Sequence, residues 1–292
     1  MAWRCSGIGW PQGTRLAVLR WEGGRVSPLT TGRTLGFRAE GERSCVGARG
    51  HVCPLAATVG GRVTQARCAE CARLDRAHSV AADTIADDPR VYRVYLAWFG
   101  PGMAKVGITA EERGPARLLE QGAVVFSWLG RGPLMAARRT EELLSRSLGV
   151  PDRIPYAEKR AVRADLPAGA GERAAEVGDA HRRARALEGW PETLEPLPYE
   201  PVDHAGVFGL AGLSRATRVV RELVDGGAVA GTLLAVAGPD LHLRTADGEV
   251  VVLDTRLLSG WSLVGADPGA PLSVPTADLG VGATGTAQDG LF

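Results

Sequence analysis

"VYLAWFGPGMAKVGIT", residues 94–109, decides the reading of the chain. The run "VYLAWF" is β-branched, aromatic and apolar, "GPG" is turn chemistry, and "AKVGI" resumes the strand pattern, which predicts a hairpin. Beyond it the signal changes period. Thr109 and Glu112 stand at capping-box spacing before "ERGPARLLEQ", which predicts a helix beginning there, and Gly122 is placed to end it. "AVVFSWLG" reads as a third strand, and "LMAARRTEELLSRSL" as a helix stopped by Gly149 and Pro151. Residues 91–164 thus alternate strand and helix.

The flanks are β-rich. "TRLAVLRW" and "TLGFRA", within residues 14–38, are strand-like runs with a Gly-Gly turn between them and are expected to form a hairpin. Past residue 228, "AVAGTLLAVAG", "LHLRTADGEVVVLD" and "GWSLVG" are strands, with Asp247-Gly248 as a hairpin turn. "SRATRVVRELV" fits helix and strand equally. "GERAAEVGDAHRRARALEG" reads as a charged surface helix or connector. After Gly265, Gly, Ala, Pro and Thr dominate, and that composition predicts disorder.

At 292 residues the chain has room for two or three domains, and aromatics at 5% argue for small cores over one large one. The formal net charge of +1 gives no global attraction to polyanions, so nucleic-acid binding would need a local patch. No apolar run approaches the roughly 20 residues of a membrane span. The opening "MAWRCSGIGW" has no apolar signal core. The expectation is a cytoplasmic protein without membrane partners, whose clustered thiols stay reduced and point to metal over disulfide.

Four of the five cysteines, Cys45, Cys53, Cys68 and Cys71, lie within "CVGARGHVCPLAATVGGRVTQARCAEC". The second pair is a C-x-x-C, which offers two thiolates from one turn. The first pair has seven residues between its members, and His51 is an alternative ligand to Cys45 or Cys53. Four such ligands close a tetrahedral zinc site and leave no position for substrate, so the zinc would be structural. It would stabilise a segment too small to hold a core. The plain alternative is four buried thiols packing as small hydrophobes. Cys5 stands apart.

Residues 131–163 hold eight basic and four acidic side chains. Arg138, Arg139 and Arg146 share the helix 134–148, and Lys159, Arg160 and Arg163 follow. Such a stripe can track a phosphate backbone, although a solvated helix face laced by ion pairs is the commoner arrangement. Trp98, Phe99 and Trp128 could stack on bases, but as strand residues they are expected in the core.

Residues 94 to about 150 resemble the GIY-YIG nuclease fold. Val94-Tyr95 stands at the first motif, and Lys105-Val106-Gly107 stands ten positions later at the second. Arg117 lies on the following helix, with Arg113 as competitor, and Glu141 or Glu142 stands at the later acid. Helix phase separates the two glutamates. Leu134, Ala137, Leu144 and Leu148 form an apolar stripe that includes position 141 and excludes 142. A carboxylate on that stripe is costly without a partner, which selects Glu141; a Glu at the stripe edge is the plain alternative. The resemblance implies that Glu141 holds Mg²⁺ or Mn²⁺, that Arg117 neutralises the scissile phosphate and that Tyr95 orients or deprotonates water. Lys105 occupies the place of the second tyrosine and is implied to contact phosphate as a point charge. Arg113, Arg138 and Arg139 are the candidate nucleic-acid contacts.

A wider pattern covers most of the chain: a β segment, the cysteine cluster, "YLAWFG…KVGIT…R…EQGA", then "GTLLAVAGPDLHL" and "GW". It looks like an uncharacterised prokaryotic family, a domain of unknown function with a GIY-YIG-like middle. Lys105–Thr109 and Gln121–Ala123 are its most specific marks, and lysine at the second motif looks usual there. At the end of the chain, Gln288, Leu291 and Phe292 resemble the short peptide by which bacterial DNA-processing proteins dock on the replication sliding clamp.

The expected architecture is α/β plus β. A GIY-YIG-like α/β domain (90–165) and a zinc-binding segment (45–80) are inserted between an N-terminal β segment (1–44) and a C-terminal β domain (195–266). A helical connector (166–194) and a disordered tail (267–292) with the clamp-like peptide complete it. The two β segments are expected to pair into one barrel-like unit, with contact between residues 14–38 and 229–264. The functional expectation is a nucleic-acid-acting protein of DNA metabolism, acting on DNA or RNA as a metal-dependent endonuclease. The alternative is a zinc-containing binding or adaptor protein that does not cut.

Overall fold

The computed structural model describes residues 2–77 and 88–279. Four strands open the chain: β1 (Trp3–Gly9), β2 (Val18–Trp21), β3 (Val26–Pro28) and β4 (Thr34–Glu40). A loop segment carrying the cysteines runs into α1 (Ala69–Ala77). The middle comprises β5 (Val91–Trp98), β6 (Ala104–Ala110), α2 (Ala116–Gln121), β7 (Val125–Pro133), α3 (Leu134–Leu148), α4 (Tyr156–Val162) and α5 (Ala170–Arg185). Then follow β8 (Glu195–Pro196), β9 (Val202–Asp203), α6 (Ala205–Phe208), β10 (Arg218–Val220), β11 (Ala228–Ala237), β12 (Asp240–Arg244), β13 (Val250–Asp254), β14 (Ser262–Gly265) and β15 (Thr276–Asp278).

The described residues form two sheets. The larger has ten strands in the order β15-β10-β13-β12-β11-β4-β14-β1-β2-β3, antiparallel except for the parallel β10–β13 pair. The expected contact between the two ends of the chain is present: β4 lies between β11 and β14, with Phe37 opposite Val229 on one side and Gly265 on the other. The sheet is open, not barrel-like, because its path ends at β15 and β3 without closing. The smaller sheet has the order β6-β5-β7-β8, with β9 also on β7. Helices α3 and α5 pack on one face of it. Their apolar residues, including Ala137, Leu144, Val177 and Ala184, join Val94, Leu96, Trp98 and Val106 in a core continuous with that of the larger sheet.

Several local expectations change once packing decides them. The turn at Gly23-Gly24 joins β2 to the short β3, not to β4, which is recruited by β11 and β14. Thr109 caps nothing: it lies in β6 with its hydroxyl buried and unpartnered, and α2 starts only after Pro115. Gly122 does end α2, in the left-handed conformation, and Gly149 ends α3 in the same way. The charged helix α5 buries Val177, Ala180, His181 and Ala184 against the small sheet. "SRATRVVRELV" resolves into the short strand β10. Residues 266–279, expected to be disordered, are tied down by β15 pairing with β10 and by the buried side chain of Val274.

The two sheets meet at a seam between the end of α2 and the β11–β12 hairpin. A Cβ on Gly238 would lie 2.8 Å from the Gly122 nitrogen, and one on Gly122 would lie 3.1 Å from the Ala237 carbonyl carbon, so the backbones touch only because both residues are glycine. Helix α4 covers this point. Arg160 donates two bonds to Asp240 (2.9 and 2.6 Å) and one to Asp254 (2.6 Å). Lys159 and Arg163 donate to the Gln121 and Gly122 carbonyls at 3.1 and 2.7 Å, satisfying acceptors at the exit of α2. Breaking a buried pair leaves the remaining charge uncompensated. Arg160→Met is therefore expected to cost about 3–5 kcal/mol in urea unfolding; an unchanged midpoint would show that the seam does not carry this stability.

Candidate functional site

The β5–β6 register places Tyr95 opposite Gly107 and Ala97 opposite Lys105, so these four share one face of the small sheet, away from α3 and α5. On the other side of β5 a bulge shifts the pairing from Val94–Gly130 to Tyr95–Trp128 and sets the Tyr95 ring edge-to-face with Trp128 at 6.3 Å. The Tyr95 ring lies across Gly107, where a Cβ would collide with its hydroxyl. That close approach explains why glycine suits the position. Gln121 donates to the Tyr95 hydroxyl at 2.9 Å. Gln121 was legible only as part of the Gln-Gly-Ala mark; nothing in the sequence announced it as the tyrosine's partner.

Lys105 is buried, donates to the Asp152 carbonyl at 2.7 Å and lies 5.8 Å from the Tyr95 ring centroid. Burial first, then the neighbouring Arg117, brings its ammonium down to about 8, with Glu141 opposing. The Glu141 carboxyl on half-buried ground is pushed up by desolvation and pulled back by Lys105 and Arg138. Tyr95 is raised, again mainly by burial, and it feels both Arg117 and Glu141. Tyr95, Lys105, Arg117 and Glu141 thus come together from β5, β6, α2 and α3. The tyrosine and lysine are the floor, the exposed Arg117 and half-buried Glu141 the rim. Glu142 points away and pairs with Arg146 at 2.6 Å.

The other candidates disperse. Arg113 pairs with Glu120 at 2.6 Å, and Arg117 approaches the same carboxylate at 3.8 Å. Arg138 sits beside Glu141, and Arg139 is exposed on the same helix. The basic run does not continue as a surface stripe, because Lys159, Arg160 and Arg163 are turned into the seam. Trp98 and Phe99 are core residues, while half-buried Trp128 stacks under Arg93 at 5.1 Å. Gln288, Leu291 and Phe292 lie outside the described residues.

The four cysteines form a separate site. Their sulfurs all lie within 4.8 Å of one another, and Cys53 and Cys68 are 3.9 Å apart. A tetrahedron with Zn–S near 2.3 Å has sulfur–sulfur edges of about 3.8 Å, so the set could hold a metal ion such as zinc. His51 is not needed to complete it. Backbone N–H groups of Gly47 and Cys68 donate to the Cys45 sulfur at 3.4 and 3.2 Å, and Cys68 and Cys71 flank the start of α1, where the helix dipole favours thiolates. Backbone N–H groups, that of Ala57 foremost, draw the Cys53 thiol down to about 6, while burial pushes Cys71 up to about 12. Among the described residues the cluster packs with a few small side chains, Ala48, Ala57 and Val59, apart from the main core.

Arg43 fastens this segment to the large sheet. Its guanidinium is 1% exposed and donates to four backbone carbonyls: Gly60 and Val63 in the cysteine segment, and Arg256 and Ser259 before β14. No sequence signal marked it.

Residues 32–263 match the family described as "Protein of unknown function (DUF2797)", and the chain belongs to that family. No curated protein and no solved structure matches the chain.

Gly107→Ala would drive a methyl group against the Tyr95 hydroxyl. It is expected to cost about 1–3 kcal/mol, as overpacking does, and to shift Tyr95 fluorescence and its titration. Unchanged stability and tyrosine titration would mean that Tyr95 does not need this glycine.

Proposed function

We propose that this protein acts on nucleic acid, with the Tyr95 face as a metal-assisted phosphodiester-hydrolysing site of GIY-YIG-like kind. The observation that carries the reading is that Tyr95, Lys105, Arg117 and Glu141, from four separate elements, lie close enough to feel one another's charge. Glu141, as a half-buried carboxylate, suits Mg²⁺ or Mn²⁺ shared with substrate phosphate, and that ion would supply positive charge beside the transferring group. Arg117 at the rim holds the phosphate. Tyr95 keeps its proton because of burial and positions the attacking water. Lys105, brought down to about 8, is the group able to accept a proton near neutral pH. Arg138 and Arg139 on α3, and Arg113, would contact the flanking backbone. Recruitment to DNA metabolism would come through Gln288, Leu291 and Phe292 on the replication clamp.

The second reading is a binding or adaptor protein that does not cut. It is favoured by one specific observation: Tyr95 is 2% exposed, so water reaches its hydroxyl only if the rim opens. In both readings the four cysteines hold a structural zinc.

Mn²⁺- or Mg²⁺-dependent cleavage of flapped, branched and single-stranded DNA and RNA separates the readings. Under the first, Glu141→Gln lowers the rate at least about 100-fold, the scale of a lost catalytic group. The wild-type rate passes its half-maximum near pH 8 and levels off above it as Lys105 deprotonates, since the neutral form is the base. Cleavage that survives Glu141→Gln contradicts the mechanism; a rate that falls above pH 8 assigns Lys105 to phosphate contact as a cation. Binding without cleavage supports the adaptor. Metal analysis is expected to find zinc bound by the wild type and lost in a Cys45→Ser/Cys71→Ser double variant, with chelation lowering Tm; no zinc in either would remove the metal from the account.

A further inference from the structure

The seam holds a cavity of about 70 Å³ on the side of α4 that faces β12, bounded by Arg160, Arg163, Leu213, Ser214, Arg215 and His242. Two of its walls are buried polar side chains with unused atoms. Arg163 is 2% exposed, and of its guanidinium only Nη2 is engaged, on the Gly122 carbonyl; Nε and Nη1 have no partner. His242 is 1% exposed, and neither ring nitrogen has a partner. Four nitrogens on two side chains that line the same cavity are therefore unsatisfied, a rare and costly state for buried groups.

The charges are unbalanced in the same sense. Arg160 is held by Asp240 and Asp254, Arg256 by Asp254, and Arg215 by Asp165 at 2.6 Å. No carboxylate lines the cavity, and Arg163 has no ion-pair partner of its own among the described residues. Water could satisfy the N–H groups but could not offset the charge. A space of this volume holds about two waters at ~30 Å³ each, or one tetrahedral oxyanion. A guanidinium with N–H groups to spare is a donor that oxyanions take well. Ser214 and Arg215 are exposed at the rim, so the cavity has an entrance lined by a hydroxyl and a cation.

We propose that this cavity binds a small oxyanion of the phosphate class, either free phosphate or the terminal phosphate of a monoester. Arg163 and His242 form its floor, Ser214 and Arg215 its rim. The site is independent of whether the Tyr95 face cuts nucleic acid, since the two share no residue.

The test is calorimetric titration of the full-length protein, in a buffer free of phosphate and sulfate, with inorganic phosphate and separately with glycerol 3-phosphate. At least one is expected to bind, and Arg163→Met to weaken it at least tenfold. Arg215→Gln changes an exposed rim residue and is expected to weaken it several-fold, so it decides the matter if Arg163→Met does not fold. Tighter binding of glycerol 3-phosphate assigns the site to a monoester, and tighter binding of inorganic phosphate to the free ion. No binding of either probe, or binding that Arg215→Gln and any folded Arg163→Met leave unchanged, overturns the proposal.

Discussion

The bond from Arg160 to Asp240 and Asp254, laid over the Gly122–Gly238 contact, is the constraint on which the rest of the structure depends. It joins a helix of the small sheet to two strands of the large one. Because α2 ends at this point, the same contact fixes Gln121, whose amide holds the Tyr95 hydroxyl. The position of the candidate catalytic tyrosine is thus coupled, through the consecutive residues Gln121 and Gly122, to the packing of one sheet on the other. The Gln-Gly-Ala mark at 121–123 and the Ala-Gly-Pro-Asp turn at 237–240 are the two sides of this one contact.

A chain with a formal charge of only +1 nevertheless buries several of its cations. Arg43, Lys105, Lys159 and Arg163 are all buried, and the bonds they make run to backbone carbonyls. Carbonyls satisfy donors without cancelling charge, so the two arginines keep a positive potential in a low-dielectric place, while burial pulls the two lysines toward their neutral form. At Arg43 that potential serves attachment of the cysteine segment. At Arg163 it borders a cavity, which is where an anionic ligand gains most.

The sequence displayed the parts whose signals are local. The Tyr95–Lys105 hairpin, the stops at Gly122 and Gly149, the α3 stripe and the cysteine cluster need only neighbours in the chain. What it hid depends on distant partners. Helix α4, "YAEKRAV", has almost no apolar stripe because its inward face carries Lys159 and Arg160, whose partners are the Gln121 carbonyl and Asp240. The strand β15 lies in a Gly- and Pro-rich stretch and forms because β10 offers it an edge. Thr109 and Glu112 had the spacing of a cap, but strand pairing with β5 claimed Thr109 first. Of the candidate site, the residue types were legible, and the choice of Glu141 over Glu142 followed from helix phase. That Tyr95 and Lys105 are buried, which decides their protonation, followed only from the packing.

The central claim is that Glu141 and Tyr95 belong to one metal-assisted site. A crystal soaked in Mn²⁺ and measured at the manganese absorption edge tests it most directly. The account predicts an anomalous peak on the Glu141 carboxylate, on the Tyr95 side of the small sheet. A Glu141 carboxylate turned to solvent with no peak beside it, in a crystal that takes up manganese elsewhere, would contradict it.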